Sequence, residues 1–307
     1  MQLSRRWSVD VRTRIIGVPL VAIVLALAGC SAVRLSYNNG AQLAWWWLDD
    51  HLDFPRERVD EAKAAIDRWF EWHRRSQLTG YAALLAQMSA QAAAPTSAAA
   101  TCRLWAGWRE RADVAIDRAL VLAAELVPGL DERQLQHLER RYAKNIERMR
   151  GEYLQADAPA RQRAAFDRAL ERAEQVYGTL GEAQRKVLAE GVAASPFDAE
   201  AWLRERQQRQ RDVVATLRRL VDDPPGRARR LAALRTLAAG YESSPDPAYR
   251  AQQRRVVDYN CELAARLHNA TTPAQRERAR RTFEGWEGDM RALLAAPAVP
   301  GATLEMP

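Results

Sequence analysis

The stretch AWWWLDDHLDF, residues 44–54, sets three carboxylates and a histidine directly after three tryptophans. Paired carboxylates beside aromatic rings are the parts list of glycoside cleavage. One carboxyl protonates the leaving oxygen, the other attacks or activates water, and an indole offers the sugar a flat face. Asp49 or Asp53 would be the acid, and peptidoglycan a fitting substrate class. The same residues have simpler uses. Asp53 stands just before Phe54-Pro55, where a carboxylate caps the next helix. Asp49 has many arginines with which to pair. The other parts of a hydrolytic site are missing from the sequence, so no catalytic residue is assigned.

Other chemistries fare no better. The sequence has no G-x-S-x-G elbow, no phosphate loop, no H-E-x-x-H and no C-x-x-C. The four histidines, His51, His73, His137 and His268, have no second His or Cys at ligand spacing, so neither a metal nor a cofactor is expected. His73 falls on the apolar side of its helical pattern and reads as a core histidine with a satisfied ring. His137 and His268 read as helix-surface residues.

The tryptophans must then be explained without catalysis. On a helix each side chain turns by about 100°. Leu43, Trp46, Trp47 and Asp50 share one side; Ala41, Ala44, Trp45, Leu48 and Leu52 share another. A short helix apolar nearly all round wants cover on both sides. Packing into the core is the favoured reading. A groove for a partner or ligand, and contact with a lipid surface, are the alternatives. The surface to test comprises Tyr37, Asn38, Trp45, Trp46, Trp47, Asp49, Trp72 and His73.

The chain of 307 residues is 48% hydrophobic, enough to bury a core. Arg5, Arg6, Arg12 and Arg14 precede a short apolar run at 15–28, which ends in Leu27-Ala28-Gly29-Cys30. That pattern is a lipobox: residues 1–29 form a cleaved leader of the general export type, and the Cys30 thiol receives the lipid. The full chain carries a net charge of +7, and the part after residue 29 carries +4. So small an excess argues against a nucleic-acid partner. Ser31, rather than Asp, points to the outer membrane, with the chain facing the periplasm. The expected partners are the membrane through the lipid anchor and another envelope protein. Cys102 and Cys261 are then the remaining cysteines, expected as a disulfide, with two buried thiols as the alternative.

Everything after residue 40 reads helical, with neither period-2 alternation nor hairpin signals. Helices are expected at 56–75, 81–93, 102–127, 131–156, 160–177, 182–194, 196–221, 227–239, 248–270 and 273–295. Three starts place Gln three residues after a cap: Asp131 with Gln134, Gly181 with Gln184, and Thr272 with Gln275. Ser195 with Asp198 repeats the pattern with Asp. These are capping boxes, of which Gly181 can form only half. Such starts also resemble those of small helical periplasmic chaperones, which bind hydrophobic chains. The architecture is thus an all-α, elongated bundle of about ten helices over 30–295. Sub-bundles divide at 158/159, and a disordered tail follows at 296–307.

The motifs Cys30-Ser31, Tyr37-Asn38-Asn39, Trp46-Trp47-Leu48-Asp49, Leu52-Asp53-Phe54 and Trp72-His73-Arg74-Arg75 carry a resemblance. Gly178-Thr179-Leu180 with Gln184, Trp202-Leu203 with Arg206, and Leu267-His268 with Pro273 and Gln275 extend it. Over residues 30–295 the chain resembles a family of proteobacterial lipoproteins of unknown function. His51 stands where that family usually has Tyr. The resemblance implies an all-helical lipoprotein and no more, and it transfers no site residue. Apart from it, the leading reading of the residues is a non-catalytic envelope protein that binds another protein or acts as a scaffold.

Overall fold

Apolar residues recurring every three or four positions give most segments a buried stripe, and most carry arginines on the outer face, though Gly40–Leu52 and Leu78–Ala92 have none. The computed structural model describes residues 32–223 and 226–296, which form twelve α-helices, two short 3₁₀ turns and no strand. In chain order these are α1 Ala32–Asn38, α2 Gly40–Leu52, α3 Val59–Ser76, α4 Leu78–Ala92, α5 Ala98–Leu126 and α6 Glu132–Tyr153. There follow α7 Ala158–Tyr177, α8 Glu182–Ala193, α9 Ala199–Asp222, α10 Arg227–Glu242, α11 Pro247–Asn269 and α12 Pro273–Ala295. The leader at 1–29, Cys30, and all of the tail but Ala296 lie outside the described residues.

Helix ends follow local chemistry. The Asp131 carboxylate accepts the Gln134 amide while the Gln134 side chain accepts the Asp131 amide, closing the expected box on α6. Thr272 and Gln275 do the same for α12. At α8 the Gln184 side chain accepts from Gly181 N–H at 2.7 Å, the half that glycine allows. The expected start at 195–196 is corrected. Asp198 itself caps α9, accepting from Ala201 N–H at 2.9 Å, so the helix begins after Pro196 and Phe197. The Ser195 hydroxyl accepts from Phe197 N–H instead.

Four apolar clusters fill the interior. The largest joins Ala124, Leu135, Leu138, Leu217 and Leu234, from α5, α6, α9 and α10, with Leu130 from the connection before α6. α4 and α12 run along each other more extensively than any other pair, through Leu85, Ala92, Ala279 and Phe283. Alanines at this seam are fully or nearly fully buried and let the helices approach closely. The boundary expected at 158/159 is crossed by this pair and by α11 on α5. A disulfide between Cys102 on α5 and Cys261 on α11, with Cα atoms 5.4 Å apart, joins the same two regions.

Two glycines mark close crossings. A Cβ on Gly40 would lie 2.5 Å from the Phe70 ring, so α2 starts against α3 only with glycine there. A Cβ on Gly191 would meet Leu263 at 2.1 Å, which seats α8 against α11.

Candidate functional site

The aspartates form a helix end rather than a reactive centre. α2 stops at Asp53, whose backbone takes the left-handed conformation (φ 47°). Asp tolerates that region better than most side chains. The turn swings Phe54 inward, where it is 7% exposed and packs on Trp45 at 5.7 Å between ring centres. Asp53 therefore does not cap the next helix: Pro55, extended, precedes that turn, and no side chain caps it. Asp49 likewise takes a backbone group rather than an arginine, its Oδ1 accepting from Phe54 N–H at 3.1 Å.

The first turns of α6 complete this end. Gln134 Nε2 donates to Leu52 O at 2.9 Å, and Arg133 donates to Asp53 O at 3.1 Å. His137 Nε2 lies 2.9 Å from Asp50 O. The Asp53 and Asp50 carboxylates pair with Arg133 and Arg141. A helix C-terminus leaves carbonyls without partners and a partial negative charge, so donors and cations belong there. The three carboxylates thus serve three separate partners.

Tyr37 and His73 meet at the crossing of α1 and α3. The Tyr37 hydroxyl lies 2.9 Å from His73 Nδ1, and Trp69 stacks on the imidazole at 4.6 Å. Burial lowers the His73 pKa to about 4, keeping it neutral. Burial, opposed by the Arg74 charge, pushes Tyr37 up to about 12. Arg74 lies over the Tyr37 ring, donates to Asn38 Oδ1 at 3.0 Å and donates to Leu293 O at 2.9 Å. Trp72 is half-buried, with the Arg118 guanidinium 5.7 Å from its ring centre. These residues knit α1, α3 and α12 together.

The surface expected across Tyr37–Trp72 is therefore corrected into two parts. Tyr37, Trp72 and His73 are half-buried or buried in the crossing just described, and the exposed Asn38 is held at its edge by Arg74. Trp45 is buried, 7% exposed, beside Phe54 and Ala62. Trp46 and Trp47 point outward, 43% and 61% exposed, against the favoured reading that the whole run packs inside. Trp47 stacks on His51, a buried residue whose Nδ1 lies 2.8 Å from Trp47 O. His268, expected on the surface, is buried as well. Its Nδ1 lies 3.0 Å from the Tyr177 hydroxyl and its Nε2 2.9 Å from Ala94 O, because the 93–97 connection covers this end of α11.

Behind Trp47 opens a cavity of about 520 Å³ between α2, α3, α5, α9 and α10. Its walls are entirely apolar, with Trp47, Leu48, Ile66, Trp69, Leu122 and Leu126 prominent. The Trp69 indole N–H is committed to Ala115 O at 3.0 Å. An apolar opening in the range of about 300–1,000 Å³ is the usual size of a small-molecule site. The sequence flagged Trp47 but not Leu217 and Leu234, which join the wall from α9 and α10, about 170 residues or more further along the chain. A second groove, about 710 Å³ between α6 and α9, is lined by both signs of charge, including Glu139, Lys144, Glu147 and Arg211. Among the described residues no group of three or more His, Cys, Asp or Glu is placed to hold a metal ion.

The class defined by these features is an all-helical bundle with an apolar cavity beneath an exposed indole. The chain belongs to a family of unknown function, DUF6279, whose model matches residues 50–250. That match is narrower than the resemblance drawn over 30–295. The Cys-Ser and Tyr-Asn-Asn motifs and Trp46–Asp49 fall before it. No curated protein and no solved structure matches the chain.

Proposed function

We propose that this chain is a non-catalytic envelope lipoprotein, anchored at Cys30 in the outer membrane and facing the periplasm. Its working part is the cavity behind Trp47, which holds an apolar ligand. The lipobox supports the anchor. No helix among the described residues is long and apolar enough to cross a membrane, so under this reading the acylated cysteine does the anchoring. The observation that carries the binding role is the cavity wall, apolar throughout and reaching an exposed tryptophan.

A glycan-cleaving role for Asp49 and Asp53 draws no support from their geometry, since both carboxylates are held at the end of α2. Capture of an unfolded hydrophobic chain is a variant of the binding role and would use the same opening. The test is titration of the purified chain with the uncharged dye N-phenyl-1-naphthylamine. Saturable binding is expected in the wild type and in Asp49→Asn and Asp53→Asn. It should be lost in Ala123→Phe, which fills the cavity from α5. Dye binding that does not saturate, or that Ala123→Phe leaves intact, would remove the cavity as a ligand site.

A further inference from the structure

Several exposed large apolar side chains fall close together in the sequence. Leu35, Leu43, Trp46 and Trp47 are 43–61% exposed and lie within thirteen residues on α1 and α2. Of the other such residues, Trp105, Val114 and Ile116 lie on α5, Phe197 in the 195–198 connection and Tyr241 on α10. Leu43, Trp46 and Trp47 are spaced three and four apart and so form one stripe on α2. A soluble surface rarely keeps such a stripe unless something covers it.

Trp47 belongs to two surfaces at once. Its ring ends the exposed stripe and also lines the cavity. Trp47 is therefore where the stripe and the cavity wall meet, and the wall itself carries no charged side chain. The wall residues offer an entering molecule no side-chain partner beyond an indole. A polar group would lose its hydration there and gain little. What fits is hydrocarbon.

The position of the stripe in the chain supplies the source. α1 begins at Ala32, two residues after the lipobox cysteine, and α2 follows at once. An acylated Cys30 holds these two helices next to the bilayer, and Trp favours the membrane interface. We infer that the stripe rests in the lipid interface and that the cavity takes up one acyl chain of a membrane phospholipid past Trp47. This rests on the reading of the chain as a lipid-anchored protein with a ligand-binding cavity.

The test uses the full chain in vesicles of phosphatidylethanolamine and phosphatidylglycerol, doped with a phospholipid that carries a diazirine near the end of one acyl chain. After illumination, mass spectrometry locates the adducts. Adducts on α3 and α5 wall residues such as Ile66, Leu122 and Leu126 are expected, together with adducts on Leu43 and Trp46. Ala123→Phe and Ala44→Phe should each lose the wall adducts and keep those on the stripe; two variants from different helices guard against one that misfolds. Adducts confined to the stripe, or no adducts above the level at the exposed Trp105, would overturn the inference. Failure of dye binding removes the cavity reading itself. Dye binding without wall adducts removes only the acyl chain.

Discussion

Gln184 and Gln275 each hold the other's helix start. Gln184 accepts from Gly181 N–H and donates to Ala270 O at 3.0 Å, in the turn before α12. Gln275 accepts from Thr272 N–H and donates to Thr179 O at 3.0 Å, in the turn before α8. Each amide uses both ends, one for its own cap and one for the opposite loop. Gln184→Ala or Gln275→Ala strands polar backbone groups and should cost about 1–3 kcal/mol. Urea unfolding of both single variants and the double variant checks the clasp. A coupling of about 0.5 kcal/mol or more is expected, and strict additivity would refute it.

Adjacent tryptophans should behave oppositely. Trp45, packed on Phe54, should cost about 3–5 kcal/mol when cut to alanine. Trp47→Ala, at a position mostly in solvent, should change stability by less than about 1 kcal/mol, while weakening dye binding. Equal stability losses from the two variants would contradict the outward placement of Trp47.

The Cys102–Cys261 bond closes a loop with a sequence separation of 159. In the chain-entropy model such a long loop is worth roughly 5 kcal/mol, and measured values are commonly about 2–4 kcal/mol. Reductant should lower the thermal midpoint of the wild type and leave a Cys102→Ala/Cys261→Ala double variant unmoved. A wild type indifferent to reductant would mean the bond adds nothing.

Stability should form a plateau in pH. His73 is kept neutral by burial, its pKa lowered from the ordinary 6.5 to about 4. As pH falls the unfolded chain binds this proton first, so stability drops between pH 6.5 and 4. Burial pushes Tyr37, Tyr142 and Tyr177 up from 10.0 to about 12. The unfolded chain then loses these protons first, and stability falls again above pH 10. The acid arm owed to His73 has a slope of at most about 1.4 kcal/mol per pH unit. Denaturant midpoints across pH, with and without His73→Phe, check it. The variant should flatten the acid arm.

The positions of the helices were legible because each needs only its own apolar period and a local stop. The α12 start at Pro273, with Thr272 and Gln275, is visible within four residues. The wheel of α2 also separated Trp45 from Trp46 and Trp47. It could not say which face meets the bundle, because that depends on α3 and α6. Asp53 was misread for a related reason. Its neighbours advertise a cap, but Arg133, eighty residues away, arrives to close the previous helix instead. His268 was misread because Tyr177 and Ala94 come from other helices and loops. The cavity was least legible of all. Its wall draws on five helices, and each contributes residues that look like ordinary core.

The seam between α4 and α12 sets an order in time. Residues 78–92 are made long before residues 273–295 exist, yet Leu85 and Ala92 find much of their cover on Ala279 and Phe283. Every nascent chain shorter than that carries the apolar side of α4 without its main neighbour. A stop codon or proteolytic cut before residue 273 would therefore expose a sticky surface near the N-terminus. The last helix to be made is the one that lets an early one settle.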